Sequence, residues 1–249
     1  MHKLQSPIPN ILFNNSQLFF YGHRGLCGHK TENTLSSFIY ALEKQMNGIE
    51  LDVQRTADGE IIVFHDESLK KINGDKTPIS QLNFSDIKNI KLKESASNQK
   101  NEYIPKLIDV INIIPKNVVL NIEIKSYKDK NYKIVSDINE IVDKYSLYEN
   151  TIISSFNPFI LNSIKKLNSN IPIALIWNGK TKFIKYCIRY LKPSAFHVNR
   201  NFINKQLVSW MHDRNVKVYT YTINTLEQLK IVTACKVDGI FTDIDLASQ

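Results

Sequence analysis

Cysteine is scarce in this chain and is not arranged for a structural task. The 249 residues contain only Cys27, Cys187 and Cys235, which are odd in number, far apart and without a C-x-x-C pair. This spacing gives no cysteine-based metal site and no disulfide framework. We expect all three to be packing residues in a reducing compartment.

Long hydrophobic runs are also missing. No segment approaches the roughly 20 apolar residues that a membrane-spanning helix requires, so we expect no stable membrane insertion. Prolines and asparagines interrupt residues 1–20, where a signal peptide needs a continuous apolar stretch. The lack of both signals predicts a cytoplasmic protein.

Negative charge is outnumbered by positive charge. The chain has 32 lysines and arginines against 24 aspartates and glutamates, which gives a formal net charge of +8. Such a balance favours anionic partners, among them nucleic acid, an acidic membrane surface and phosphorylated small molecules. The lysines are scattered, and no run combines clustered arginines with stacking aromatic residues, which argues against nucleic acid.

The hydrophobic pattern predicts strands alternating with helices. Apolar, β-branched runs recur with amphipathic helical patterns between them, an order that builds parallel sheets through right-handed crossovers. We predict an α/β protein, a single (β/α)8 TIM-barrel domain over residues 1–249, because the runs number eight. The runs are residues 18–23, 48–53, 118–124, 151–156, 171–177, 194–199, 216–222 and 239–243.

One connection is too long for a simple barrel loop. Between the run at 61–66 and the helical pattern at 104–114 lie segments rich in Ser, Lys, Asn and Gly, with weak periodicity. A connection of this length inside a compact domain is uncommon unless it has a task of its own. We interpret residues 67–103 as an inserted subdomain or lid after the second strand region.

Acidic residues in two of the runs are the first sign of chemistry. Glu50 and Asp52 are two residues apart and share one face of their strand, and Glu123 and Lys125 repeat this spacing in the next run. Close carboxylates repel each other, so either a divalent cation binds or the pKa of one of them rises. We prefer the cation, since all-oxygen ligands select Ca²⁺ or Mg²⁺. A solvated strand face and a cross-strand salt bridge are the structural alternatives.

Two histidines also stand at the ends of apolar runs. The first run ends on His23 and Arg24, and a turn at 58–59 leads into a run that ends on His65. A lone histidine is more often structural than catalytic. Two of them at the mouths of neighbouring strands, beside a cation site, form the set that phosphodiester cleavage needs: a base, an acid and positive charge on the phosphate.

The order of these motifs resembles that of one enzyme family, the glycerophosphodiester phosphodiesterases. The resemblance covers nearly the whole chain and implies a (β/α)8 barrel with a small insertion after the H-D motif, where the long connection falls. It is carried by HRG at 23–25, ENT at 32–34, GIELDVQRTADGEIIVFHD at 48–66, IPKLIDV at 104–110, LNIEIK at 120–125, SF at 155–156, YTIN at 221–224 and DGIFTD at 238–243.

The resemblance implies a reaction and a role for each polar residue. The reaction is hydrolysis of a glycerophosphodiester, such as glycerophosphocholine or glycerophosphoethanolamine, to glycerol 3-phosphate and an alcohol. His23 and His65 would be the general acid and base, and Arg24 and Lys125 would hold and neutralise the phosphate. The divalent cation, Ca²⁺ or Mg²⁺, would be bound by Glu50, Asp52 and Glu123.

Two positions depart from the family pattern. Thr31 stands where the family often has Pro, which loosens a turn, and Tyr221 stands where it often has Trp. Tyrosine keeps an aromatic wall but adds a hydroxyl, so we expect changed selectivity and retained activity. Together with Trp177, Tyr221 is expected to contact the glycerol or the leaving alcohol.

Two other functions compete with this interpretation. A related barrel phospholipase, of the lysophospholipase D or sphingomyelinase D kind, would show an exposed apolar rim around the barrel mouth, and residues 67–103 show little of one. An inactive barrel that binds phosphodiesters or a protein partner would lack one of the two histidines or three acids, and all five are present.

Overall fold

Eight parallel strands form a closed barrel in the part of the chain that the structure describes. This computed structural model describes residues 18–92, 101–125, 132–180 and 183–246. Each barrel strand pairs in parallel with its two neighbours, and pairing of the first strand with both the second and the last closes the ring. The barrel strands are β1 (Phe19–Gly22), β2 (Gly48–Arg55), β4 (Val119–Ile124), β5 (Thr151–Ser155), β6 (Ile173–Trp177), β7 (Ala195–Asn199), β8 (Lys217–Tyr221) and β9 (Gly239–Thr242).

The predicted (β/α)8 barrel is confirmed, since each of the eight apolar runs coincides with one of these strands, and only β2 extends beyond its run, by two residues. Helices follow the strands and cover the outside of the barrel. These helices are α1 (Leu35–Glu43), α4 (Leu107–Ile111), α5 (Lys133–Lys144), α6 (Pro158–Leu167), α7 (Ile184–Leu191), α8 (Lys205–His212) and α9 (Leu226–Ala234). Two further short helices, α2 (Lys70–Asn73) and α3 (Phe84–Ile87), lie in the connection after the hairpin, and short 3₁₀ helices lie at Ile79–Gln81 and Arg200–Phe202. None of the helices in the described ranges has the length and apolar content to cross a bilayer.

Short polar side chains start the helices at the end of the barrel that holds the strands' carboxyl ends, which we call the mouth. Thr34 accepts a hydrogen bond from the Ser37 backbone N–H (3.3 Å) before α1, and Thr225 accepts one from Gln228 (3.2 Å) before α9. These caps mark where α1 and α9 begin. They satisfy backbone donors that would otherwise lack partners and so fix where each loop turns away from the mouth.

Large rings from three neighbouring strands fill the barrel interior. Tyr21 stacks on Phe241 with ring centroids 4.8 Å apart and meets Tyr219 edge-on at 5.5 Å. Space for them exists because other strands contribute very small residues: a Cβ on Gly48 would lie 2.4 Å from the Tyr21 ring. Ala195 belongs to the same buried cluster. Close packing of this kind tolerates little change in volume.

An antiparallel hairpin rises from the mouth. The last residues of β2 extend beyond the barrel and pair with β3 (Ile61–Val63), so that Val53 lies opposite Val63. The prediction that both histidines follow neighbouring barrel strands is therefore wrong for His65, because His65 follows β3 and β3 is not a barrel strand. His65 reaches the mouth because β3 runs antiparallel to β2 and returns toward it. The Phe64 N–H accordingly donates to the Asp52 carbonyl, at 2.9 Å.

The connection after β3 has a hydrophobic cluster of its own. It attaches to the hairpin, since the Ala57 N–H donates to the Leu82 carbonyl (2.8 Å) and the Phe84 N–H to Asp58 (3.1 Å). Residues 93–100 of the predicted insertion lie outside the described residues. The buried members of the cluster are Ile62, Leu69, Ile79, Ile87, Leu92 and Ile104.

We expect Ala195→Leu to destabilise the protein, because the added atoms enter the interior beside the rings of β1, β8 and β9. Overpacking of a dense core costs about 1–3 kcal/mol, which urea unfolding would measure. Ala234→Leu is the matched control: Ala234 is exposed at the end of α9, and surface substitutions usually change stability by about 0.5 kcal/mol or less. Equal effects of the two variants would contradict the packing described for the interior.

Candidate active site

A cavity of about 300 Å³ opens at the barrel mouth. The structure brings most of the predicted site residues to it, and Asp52 lies directly behind the lining residues. Their convergence follows from the topology, because the carboxyl ends of β1, β2 and β4 are adjacent in the ring. The predicted residues that line the cavity are His23, Arg24, Glu50, His65, Glu123, Lys125 and Tyr221.

Three carboxylates meet at the ends of β2 and β4. These strands pair in a register that places Asp52 beside Glu123. Because side chains alternate along a strand, Glu50 and Asp52 face the barrel interior as predicted. Carboxylate oxygens of the three acids lie within 4.8 Å of one another, and all three residues are buried. Charges this close require positive charge or protons between them.

Two cations compensate part of this charge. Asp52 lies 2.9 Å from Lys125 Nζ and 3.1 Å from Arg24 Nε, and Lys125 also donates to the Glu123 carboxylate. Burial by itself would raise the pKa of Asp52, but the charges of Lys125 and Arg24 outweigh burial and hold it below its usual range. Asp52 is therefore a carboxylate at neutral pH.

Glu50 is the least compensated of the three acids. Its Oε2 accepts a hydrogen bond from the Arg24 backbone N–H (2.9 Å), while its buried Oε1 has no hydrogen-bond partner among the described residues. Burial, and then repulsion by Asp52, raises the pKa of Glu50 to about 8. Burial likewise raises the pKa of Glu123. An unsatisfied oxygen within an all-carboxylate donor set fits a hard divalent cation such as Ca²⁺ or Mg²⁺.

The loop after β1 holds Arg24 in a conformation that few residues adopt. Arg24 and Asn33 both have left-handed backbone angles, with φ of 53° and 57°. The Asn33 N–H closes the loop by donating to the Arg24 carbonyl (3.1 Å), and its side-chain amide donates to Asp52 (2.9 Å). Gly25 continues the turn with φ 86°, where a Cβ would lie 2.4 Å from Ser37 Oγ. Only glycine fits there without moving the helix that follows.

His23 is held by an aspartate on the neighbouring strand. Its Nδ1 lies 2.6 Å from Asp243 Oδ1, and Asp243 also accepts hydrogen bonds from Asn224 (2.6 Å) and the Cys27 thiol (3.0 Å). Burial lowers the pKa of His23, but the hydrogen bond to Asp243 and the charge of Glu50 outweigh it, so the pKa is raised. Cys27 is thus more than the packing residue that its spacing predicted.

His65 has the opposite electrostatic setting. Burial and the positive charge of Lys125 lower its pKa, and its Nδ1 lies 2.9 Å from the Asp66 carboxylate. The Gln54 side chain fixes this segment by donating to the carbonyls of Phe64 (2.8 Å) and Asp66 (2.7 Å). The site therefore contains one imidazole with a raised pKa and one with a lowered pKa, a combination that suits an acid and a base in the same site.

The two predicted aromatic contacts have different positions. Tyr221 lines the cavity, and its hydroxyl donates to the Trp177 carbonyl (3.0 Å). The structure does not bring Trp177 to the described lining of the cavity. Its indole packs instead against Phe196 and Phe202, with ring centroids 6.0 and 5.3 Å apart, because it lies on the face of β6 that points away from the interior.

Several residues in or beside the cavity are not among the predicted site residues. Asp243 follows β9 as His23 follows β1, so the rule that strand ends build the mouth could have found it. His197 is buried in the cavity wall, where burial lowers its pKa to about 3, and its Nε2 has no hydrogen-bond partner in the described part of the chain. Asn121, which pairs with Glu50 across the sheet, likewise has a buried Oδ1 with no hydrogen-bond partner in the described part of the chain. Phe156 and Arg200 complete this side of the wall.

Comparison with known proteins agrees with this geometry. The model of the glycerophosphoryl diester phosphodiesterase family matches residues 23–244. A glycerophosphodiester phosphodiesterase of Caldanaerobacter subterraneus is 31% identical, over 89% of this chain and 92% of the relative. A human lysophospholipase D is 25% identical, over 89% of this chain and 82% of the relative.

Solved structures show the same fold. A phosphodiesterase of Oleispira antarctica, in complex with the product sn-glycerol 3-phosphate, superposes with a TM-score of 0.82 at 25% identity, over 90% of this chain and 92% of that chain. A structure from Silicibacter pomeroyi gives a TM-score of 0.83 at 20% identity, over 93% and 92% of the two chains. The match of the family model over most of the chain decides the assignment: this chain belongs to the glycerophosphoryl diester phosphodiesterase family.

Proposed function

We propose that this phosphodiesterase hydrolyses glycerophosphodiesters, such as glycerophosphocholine and glycerophosphoethanolamine, to sn-glycerol 3-phosphate and an alcohol. The observation that carries the proposal is that two histidines with opposite pKa shifts, two cations and a carboxylate cluster share one cavity. The Caldanaerobacter relative supports the substrate class by its name, and the Oleispira structure supports it by its bound product. The convergence of both histidines and all three acids argues against an inactive barrel.

The two cations would bind the phosphate. Arg24 is fixed by its backbone, and Lys125 is fixed by two carboxylates, so both are positioned before substrate arrives. Positive groups that need no reorganisation stabilise the charge that develops on the phosphoryl oxygens in the transition state. Each cation already partners an acid, and the phosphate competes with that acid for it.

The two histidines would move the protons. His23, protonated and held by Asp243, donates its proton to the oxygen of the leaving alcohol as the P–O bond breaks. His65, neutral, accepts the proton of the attacking hydroxyl, which belongs to water or to the glycerol of the substrate. This division of roles follows from the opposite pKa shifts of the two rings.

Glu50, Asp52 and Glu123 would hold the divalent cation, Ca²⁺ or Mg²⁺. When bound, the cation supplies Lewis-acid polarisation of a phosphoryl oxygen. The three acids would remain ionised around it, since positive charge lowers the pKa of neighbouring carboxyl groups. This would remove the imbalance that raises the pKa of Glu50.

The unpartnered polar groups of the wall would recognise the substrate. His197 Nε2 and Asn121 Oδ1 are buried and face the cavity without hydrogen bonds to described residues. Hydroxyl groups of the substrate would form hydrogen bonds with these two atoms. Tyr221 would contact the glycerol or alcohol part through its ring, because its hydroxyl is already bound to the Trp177 carbonyl. Trp177 would then act by positioning Tyr221.

Lysophospholipid is the second candidate substrate. Phe156, which lines the cavity, is 43% exposed, so an apolar group of a bound diester could lie against it. The human relative named lysophospholipase D supports this reading.

We further propose that residues 1–249 form one domain with 67–103 as its insertion, and that the enzyme works in the cytoplasm, in keeping with its three free cysteines.

Substitution of either histidine should abolish most of the activity. We expect His23→Ala and His65→Ala each to lower kcat by about 10²–10⁴-fold, the usual contribution of a positioned acid or base. Release of glycerol 3-phosphate from glycerophosphocholine measures this, with circular dichroism as the test of folding. His29→Ala is the matched control, because His29 is exposed. Loss of less than about tenfold in both folded variants would contradict the assigned roles.

Removal of divalent cations should abolish the hydrolytic activity. With EDTA we expect release of glycerol 3-phosphate to stop, and Ca²⁺ or Mg²⁺ to restore it. Glu50→Gln should need about tenfold or more metal for half-restoration, because a charge-assisted ligand contact contributes about 1.5–3 kcal/mol. Glu140→Gln, on the exposed side of α5, should behave as the parent chain. Full activity in EDTA would refute the cation site.

The pH profile should depend on Asp243. In Asp243→Asn the His23 ring loses the carboxylate that raises its pKa. Less of the acid form then persists as pH rises, so the alkaline limb of kcat/KM should move to lower pH by about one unit. Asp213→Asn, at an exposed position, is the control. An unchanged alkaline limb with a reduced rate would assign Asp243 a purely structural part.

A further inference from the structure

The positive charge of this protein is concentrated on one side of the barrel. Residues 150–212 contain nine lysines and arginines and no aspartate or glutamate. The whole chain has 32 basic and 24 acidic residues, so the remainder is close to neutral, with 23 basic against 24 acidic. This stretch comprises β5 to β7 and the helices α6 to α8. The three strands are neighbours in the ring, so the eight of these basic residues that the structure describes, all but Lys182, belong to one contiguous sector.

Exposed phenylalanines lie at the mouth end of the same sector. Phe156 directly follows β5, Phe159 is in the first turn of α6, Phe183 precedes α7, and Phe202 ends the 3₁₀ helix after β7. Loops that follow parallel barrel strands all lie at the mouth. Phe159 is 68% and Phe183 76% exposed. A phenyl ring has no polar atom to offer water, so clustered exposed rings mark an interaction surface.

Two of these loops support each other. The Phe202 ring packs on Trp177, and the backbone at Gly179 lies so close that a Cβ there would be 2.1 Å from the ring. Beside them, α7 turns Tyr186 and Tyr190 outward, with stacked rings 6.3 Å apart. The exposed rings thus belong to a surface whose loops and rings contact one another.

We propose that this sector docks the protein on an anionic lipid surface. We call it the basic aromatic face, formed by Phe156, Phe159, Phe183, Tyr186, Tyr190 and Phe202 with the exposed cations Lys180, Lys185, Arg189 and Arg200. Anionic head groups attract the cations, and aromatic rings enter the boundary between head groups and acyl chains. Two lining residues of the cavity, Phe156 and Arg200, belong to the face, so docking would turn the mouth toward the lipid.

Other anionic partners fit the face less well. A single-stranded nucleic acid also combines phosphates with stacking bases, but the most exposed rings are phenylalanines on separate loops that flank the cavity of an enzyme for lipid-derived diesters. The purpose of docking therefore rests on the proposed function, since lysolipid and head-group diesters arise at membranes. Docking itself does not depend on turnover and can be measured without it.

Vesicle co-sedimentation tests the proposal directly. The purified protein is mixed with phosphatidylcholine vesicles, with or without 30 mol% phosphatidylglycerol (about one lipid in three, enough for a strong surface potential), at low and high salt. We expect binding to the anionic vesicles only, weakened by salt. Lys180→Glu with Lys185→Glu should reduce it more than about 25-fold, since each lysine near an anionic surface contributes roughly fivefold.

The aromatic contribution is tested separately. Phe159→Ser with Phe183→Ser should lower binding about tenfold, the loss expected when two partly inserted rings are removed, while hydrolysis of glycerophosphocholine in solution stays unchanged. Tyr103→Ser, an exposed aromatic outside the face, and Lys88→Glu with Lys116→Glu are the matched controls.

Three outcomes would overturn the proposal. They are no binding of the parent chain to anionic vesicles at low salt, equal loss in the control variants, and binding of a single-stranded oligonucleotide through the same residues without vesicle binding. A chain that binds vesicles but hydrolyses no diester would refute the proposed function and leave docking intact.

Discussion

The site is organised around the burial of Asp52 between two cations. A buried carboxylate is costly unless it is paired and hydrogen-bonded, and this one has Lys125, Arg24 and Asn33 as partners. Those partners come from the end of β4, which Lys125 follows, and from the loop after β1, which holds Arg24 and Asn33. The need to satisfy one buried charge therefore fixes the relative position of the phosphate-binding groups. Glu50, by contrast, has an oxygen with no hydrogen-bond partner among the described residues, and this feature fits a metal ion.

Barrel closure adds the second half of the site. Because β1 lies between β2 and β9, His23 faces Asp243 on one side and the acids on the other. His65 comes by a different route, down the hairpin that extends β2. The acid–base pair thus rests on two independent supports, one from ring closure and one from a local turn. This arrangement explains why two chemically identical side chains have opposite pKa shifts.

Local patterns predicted much of this structure. The two-residue spacing of Glu50 and Asp52 was sufficient to place both acids on the inner face, since strand alternation is a local property. What the sequence could not show depends on packing across the ring. Trp177 ends a strand, yet its face of β6 points outward. The strand-end rule could place Asp243 at the mouth, but its pairing with His23, 220 residues away in the sequence, depends on barrel closure. Residues 67–103 carry little of an apolar rim, whereas the exposed phenylalanines lie after β5, β6 and β7, in parts of the chain that the fold brings to the mouth.

The left-handed turn at Arg24 gives the site a cooperative character. Arg24 donates its backbone N–H to Glu50, its guanidinium forms an ion pair with Asp52, and its carbonyl closes the loop through Asn33. Opening of this turn would remove partners from two acids at once and release the backbone strain that the contacts maintain. Local fluctuations of the loop would then switch the whole phosphate-binding centre between an assembled and a disassembled state, with few partly formed intermediates. Hydrogen exchange at these amides would report what fraction of the molecules has an assembled site.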